Sequence, residues 1–280
     1  MMQPGEGGLR ALIRGAGDLA TGIALSFHHA GFRIVMTELA RPSAIRRSVA
    51  FSEAVYDGRQ AVEGVEARLC DPREVEGALG EGMIAVVVDP ESAVRHAVAP
   101  IVAVDAILAK RNLGTTRDFA PIVIGCGPGF SAGEDVDAVI ETARGHELGR
   151  VILSGRAQED TGVPGEVGGR TGERILRAPA DGEVVLRRRI GDLVEAGDLV
   201  MTVGGVPVSA RIAGCVRGLI REGFAATAGL KVGDIDPRGE TRYCSVVSDK
   251  ARAVGRAALE AALILGRDRG IFRIGPGNAS

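Results

Sequence analysis

The stretch Leu9-Arg-Ala-Leu-Ile-Arg-Gly-Ala-Gly-Asp-Leu-Ala20 runs a short apolar segment straight into a glycine turn. Leu19, Ile23, Phe27 and Ala30 follow at near-helical spacing, and Gly31 offers a left-handed cap. Phe32 to Thr37 then reads as a second strand. Gly15-x-Gly17-x-x-Ala20 therefore sits between a strand and a helix, the context of the dinucleotide fingerprint. There the glycines let the chain turn tightly and approach a pyrophosphate, which the helix N-terminus stabilises. With 41 glycines in 280 residues, about six G-x-G triplets arise by chance, so the context carries the signal. Glu38 ends the second strand and stands where an acid would hold a ribose hydroxyl. An empty turn of the same kind is the competing reading.

Further apolar runs at Ala67–Leu69, Met83–Val88, Ile101–Val104, Pro121–Ile124 and Val151–Leu153 predict a parallel sheet over residues 9–155. A second glycine loop, Gly125-Cys-Gly-Pro-Gly-Phe-Ser-Ala-Gly133, follows the strand at Pro121, and a helix is expected from Glu134. Gly125, Gly127 and Gly129 could form an anion nest at the carboxyl end of the sheet. Cys126 could act as a nucleophile, although no basic partner adjoins it and a buried thiol explains it as well. Glu141 and His146 could do acid–base work, or His146 could simply favour a helix C-terminus. Arg41, Arg46 and Arg47 could hold a ligand phosphate or form a solvated helix start. The loop Lys110–Asp118 has the bases and hydroxyls to meet an anion, and equally reads as a solvated turn. His28, His29 and His96 read as surface or capping residues.

Residues 156–173 are polar and glycine-rich, a linker or functional loop. Beyond it Gly182, Gly191 and Gly197 are matched by Gly214, Gly223 and Gly229, each 32 positions on with the same internal spacings. Two similar β-units over 174–240 follow from this repeat. Residues 241–280 should form a C-terminal helix and tail, capped by Ser248 or Asp249, with Val254, Ala258, Ala261 and Leu265 along one face.

Composition narrows the function classes. Aromatics make up 3% of the chain and Trp is absent, so no base-stacking platform is expected. A net charge of −2 argues against bulk nucleic-acid or acidic-membrane binding. The four cysteines, Cys70, Cys126, Cys215 and Cys244, are dispersed, which suggests reduced thiols and no structural metal. Met1–Gly8 reads as a flexible tail without a signal pattern, and no apolar stretch is long enough to span a bilayer. A cytoplasmic protein is the simplest expectation.

The glycine placement over 178–197 resembles the biotinyl/lipoyl carrier fold, a barrel-sandwich hybrid in which a hairpin lysine is modified. Here the hairpin is Gly204-Gly-Val-Pro-Val208 and the nearest lysine, Lys231, lies in the second unit, so no biotin or lipoyl attachment is expected. The ordered set Gly15-Ala-Gly-Asp-Leu-Ala-Thr-Gly22, Thr37-Glu38, Phe51-Ser-Glu-Ala-Val-Tyr56, Val123–Phe130, Val139–His146 and Ser248-Asp-Lys-Ala-Arg252 resembles a wider family. It is similar to the accessory proteins of the selenium-dependent molybdenum hydroxylase system, relatives of the xanthine dehydrogenase maturation factors. The resemblance implies a role in maturing a molybdopterin-type cofactor, with the hydroxylase or its maturation machinery as partner and homo-oligomerisation possible. On that reading Gly15, Gly17 and Asp18 face a phosphate, with Ala20 completing the fingerprint, Glu38 a ribose or pterin hydroxyl, and Gly127 and Gly129, in the loop that Gly125 opens, a second anion. An NAD(P)-dependent oxidoreductase and a non-catalytic adaptor docking through the β-module remain alternatives.

Overall fold

A computed structural model describes residues 8–163 and 165–272. The tail expected over residues 1–8 lies outside the described residues except for Gly8, as does everything beyond Phe272.

The chain through Ile152 builds an α/β unit around one sheet. It comprises β1 (Arg10–Arg14), α1 (Asp18–His29), β2 (Arg33–Glu38), α2 (Ala54–Asp57), β3 (Arg59–Val62) and β4 (Val65–Leu69). After these come α3 (Val75–Gly80), β5 (Ile84–Val88), α4 (Arg95–Val98), β6 (Val102–Asp105), β7 (Ile122–Cys126), β8 (Ala138–Ile140) and β9 (Val151–Ile152). The nine strands form one sheet in the order β3-β4-β5-β2-β1-β6-β7-β8-β9. From β4 to β8 every pairing is parallel, as expected from strands spaced by crossovers. The edge strands β3 and β9 pair antiparallel, so the sheet is mixed. The run β5-β2-β1-β6-β7-β8 follows the strand order of a doubly wound dinucleotide-binding sheet. Its order reverses between β1 and β6.

Alternation along each strand sends residues to two cores. Ala11, Ile13, Ile34 and Met36 face α1, while Leu12, Val35, Ala85 and Val87 face the cover that includes Val75, Leu79 and Val98. No helix starts at Glu134. The Asp135 carboxylate accepts from Ser131 N (2.9 Å), and Asp137 accepts from Val123 N (2.8 Å), holding this segment as a tight turn into β8. The face that such a helix would cover is taken by α5 (Asp249–Asp268), which packs along α1 and over β7, β8 and β9. Ser248 caps α5, its hydroxyl accepting from Ala251 N at 3.1 Å.

The β-module comprises β10 (Ile175–Arg177), β11 (Gly182–Leu186), β12 (Leu193–Val194), β13 (Leu199–Val203), β14 (Val206–Ser209), β15 (Gly214–Leu219), β16 (Ala225–Ala226) and β17 (Lys231–Asp236). They form two antiparallel sheets, β10-β17-β15-β12 and β14-β13-β11-β16. Shifting by 32 residues carries β11, β12 and β13 onto β15, β16 and β17. It therefore converts the strand order of one sheet into that of the other, with β12 and β16 exchanged between repeats. The matched glycines have matched backbones, φ +146° and +154° at Gly182 and Gly214, for example. Gly204 and Gly205 (φ +56° and +81°) turn the β13–β14 hairpin.

Among the described residues, no helix is long and apolar enough to cross a membrane.

Candidate functional site

A cleft of about 720 Å³ opens at the reversal point between β1 and β6. Arg14, Gly15, Gly17, Asp18, Leu19 and Ala20 form one wall, with Thr37 and Glu38 from the end of β2 beside them. Ala106 to Leu108 and Asn112 to Gly114, from the loop after β6, form the opposite wall. Ligands of open α/β sheets bind in such a crevice because two crossovers leave it in opposite directions.

Each glycine of the turn has a separate reason to be there. Gly15 has φ +96°, and a side chain would meet the Ala106 carbonyl at 3.2 Å. Gly17 caps α1 with an ordinary backbone (φ −66°, ψ −177°), and among the described residues no atom beyond its chain neighbours lies within 4 Å of where its Cβ would be. Protein packing does not require glycine there; the open space lies before the helix N-terminus. Glu38 closes the turn, one carboxylate oxygen accepting from Ala16 N (2.9 Å) and the other from Leu39 N (2.8 Å). Burial raises its pKa, against the lowering effect of these two N–H groups. Each oxygen retains accepting capacity for a further donor.

Arg14 is the cleft residue that pattern reading missed, because an arginine ending a strand looks solvent-facing. It is buried, donating to Asp105 (3.3 Å), Thr115 Oγ1 (3.0 Å) and the Pro90 carbonyl (3.1 Å), while its Nε has no partner among the described residues. Thr115 Oγ1 donates to the same Asp105 oxygen at 2.6 Å. The loop Lys110–Asp118 thus divides its work between bracing Arg14 and lining the cleft.

The other sequence candidates lie elsewhere. Gly125, Gly127 and Gly129 are outside the cleft walls, and the space over their Cα atoms is occupied by Phe130, Thr142 and the Arg111 backbone. Cys126 is in the sheet core, and burial pushes its thiol well above the ordinary value. Glu141 is buried with its two oxygens accepting from Ala143 N and Gln158 N, both at 2.7 Å, so it staples a loop. His146 is exposed in a turn. Cys215 and Cys244, 29 positions apart in sequence, meet with sulfurs 3.5 Å apart, and burial pushes the Cys215 thiol up to about 12.

The Phe51–Tyr56 segment braces the glycine turn and connects it to the β-module. Phe51 N donates to Thr21 Oγ1 (2.9 Å) and Ser52 N to the Ala16 carbonyl (2.8 Å). Glu53 and Asp57 receive Arg221 of the module at 2.9 and 2.5 Å, and the Arg221 guanidinium lies 4.5 Å from the Tyr56 ring centre. Arg47 donates to the Leu219 carbonyl at 2.8 Å. Of the three arginines after Glu38, Arg41 is exposed, Arg47 clamps the module, and Arg46 enters a second cleft.

Fold and cleft define an α/β protein with a doubly wound sheet and a glycine turn at its reversal point. No family model matches the chain. Over 268 residues it is 51% identical to the uncharacterized protein YqeB of Escherichia coli (strain K12), covering 95% of this chain and 50% of that protein. The chain thus spans about half the length of the curated relative it matches. Among solved structures, it is similar to an aspartoacylase family protein from Mesorhizobium loti (13% identity, TM-score 0.28). It is also similar to the product-bound ectoine utilization protein EutE (DoeB) from Ruegeria pomeroyi (14%, TM-score 0.26). Each alignment covers 81% of this chain and 85% of the other, and at these scores neither carries an argument about fold or site.

Proposed function

We propose that this chain binds a nucleotide-type ligand in the cleft between β1 and β6, as an accessory protein of a selenium-dependent molybdenum hydroxylase system. The observation that carries the binding reading is the unfilled space before Gly17 at the start of α1, inside a cleft that Glu38 borders. The ligand's phosphate lies before Gly17 at the start of α1, with Gly15 turning the chain beneath it, and its sugar hydroxyls donate to Glu38. The titratable side chains of the cleft among the described residues are Arg14, Asp18, Glu38 and Glu91, so the attraction for a phosphate comes from the N–H groups at the start of α1 and not from side-chain charge. The ordered motif set supports the accessory role, with a molybdopterin-type nucleotide as the corresponding ligand and the hydroxylase as partner. NAD fits the same cleft chemistry, its free ribose 2′-hydroxyl donating to Glu38, whereas the 2′-phosphate of NADP would face that carboxylate.

Gly17→Val separates binding from folding. Its backbone angles suit a side chain, and losing glycine at the cap costs at most about 1 kcal/mol. Equilibrium dialysis of the full chain against NAD, NADP, CTP and molybdopterin derivatives at about 1 mM should find one retained, with Gly17→Val weakening it more than about tenfold. Retention of none by the native chain, or equal retention by the folded variant, would refute the reading.

A further inference from the structure

We propose that a second cleft, between the α/β unit and the β-module, is a binding site for a phosphate-class oxyanion held by Arg46, Lys231 and Lys250. The cleft has a volume of about 450 Å³ and meets the first at Asp18 and Leu19. Three elements distant in sequence bring the cations together: the loop after β2, the start of β17 and the first turn of α5.

Six cationic side chains line this space, and three are already engaged. Arg144 forms a two-pronged pair with Asp249 at 2.7 and 2.8 Å. Arg174 and Arg217 both bind Asp234. The other three are not neutralised in this way. Arg46 is 6% exposed, and its Nε and Nη1 have no hydrogen-bond partner among the described residues, although its Nη2 donates to the Tyr243 and Val246 carbonyls. Its nearest acid is Asp18, 4.0 Å from Nη1. Neither Lys231 nor Lys250 forms a hydrogen bond or ion pair through its ammonium with any described residue, yet both are partly buried, and desolvation lowers both pKa values.

Lys250 is also disfavoured by position. It is the second residue of α5, where the helix dipole repels a cation. Keeping three poorly paired cations around one cavity costs stability that an anion within it would recover. The acids facing the space leave room for such an anion. Asp234 is held by two arginines, Asp160 by Lys110 at 2.5 Å, and Glu159 is exposed. Asp18 remains as the border with the nucleotide cleft.

Inorganic pyrophosphate is the probe, titrated calorimetrically into the full chain and into Lys231→Gln, Lys250→Gln and Gly17→Val. Both lysine substitutions remove a desolvated charge, so folding is not at risk; far-ultraviolet circular dichroism checks it. Saturable binding is expected, weakened at least about tenfold by either lysine substitution; in Gly17→Val, which blocks the first cleft, the binding that the lysine substitutions remove is still present. No saturation by about 10 mM, or unchanged binding in both lysine variants, overturns the site. Loss only in Gly17→Val assigns pyrophosphate to the first cleft and also overturns it. Citrate binding as tightly as pyrophosphate overturns the phosphate class. Failure of the native chain to retain a nucleotide would leave these outcomes intact, so the two proposals fail separately.

Discussion

Gly22 of α1 and Gly255 of α5 set how closely the two helices approach. A Cβ at Gly22 would lie 2.6 Å from the Ala251 carbonyl oxygen, and one at Gly255 would strike the Gly22 carbonyl and lie 2.6 Å from Ser26 Oγ. Neither glycine has the positive φ that usually explains glycine; close approach is the reason. Alanine at position 255 would raise helix propensity by about 1 kcal/mol. The methyl group must push two backbones apart, and overpacking of this kind costs about 3 kcal/mol. The expected outcome for Gly255→Ala is a net loss of about 2 kcal/mol in urea unfolding, against the propensity trend. Local pattern reading cannot distinguish this glycine from a weak helix position, because its partner is more than 200 residues away.

At the scale of elements, α5 does work that its own sequence does not advertise. It replaces a crossover helix over β7 to β9, and its first turn presents Lys250 to the second cleft. Removing the cap tests how much of that placement is local. Ser248→Ala deletes the acceptor for Ala251 N and should cost about 1 kcal/mol, measured by thermal unfolding; an unchanged midpoint would show that tertiary packing alone holds the turn. The cap was legible because Ser-Asp precedes a sustained apolar period. The missing helix at Glu134 was not, since Ser131-Ala-Gly-Glu-Asp has helix-start chemistry, and the bond from Val123 N to Asp137 and the cover of α5 decide against it from outside the segment. For the same reason the strand β1, helix α1 and strand β2 were readable together with the Gly15 turn, whereas Arg14 and the opposing wall at Ala106 were not. The 32-residue glycine repeat was fully legible, because each matched glycine answers a local backbone demand.

Across the whole molecule, the β-module is tied to the segment that braces the glycine turn, and Arg221 is central to the joint. Glu53 is buried, with Arg47 at 3.4 Å and Arg221 at 2.9 Å. Burial raises the Glu53 pKa, while the two guanidinium groups pull it down. Arg221→Ala removes one of these, together with the contact to Tyr56 and the exposed pair with Asp57. Breaking a fully buried pair costs 3–5 kcal/mol; Arg221 is partly exposed and Arg47 remains, so about 2 kcal/mol is expected at neutral pH. The sign of the pH dependence follows from the remaining acid. Without Arg221, folded Glu53 holds its proton more tightly than the unfolded chain does, so the variant loses stability as pH rises above the unfolded value of 4.5. Acidification through the folded pKa neutralises Glu53 and makes the missing arginine matter less. The stability gap between native chain and variant, measured by urea unfolding, should therefore be larger at about pH 8 than at about pH 4. A gap independent of pH would mean that Arg221 holds the joint through packing on Tyr56 rather than through the buried carboxylate.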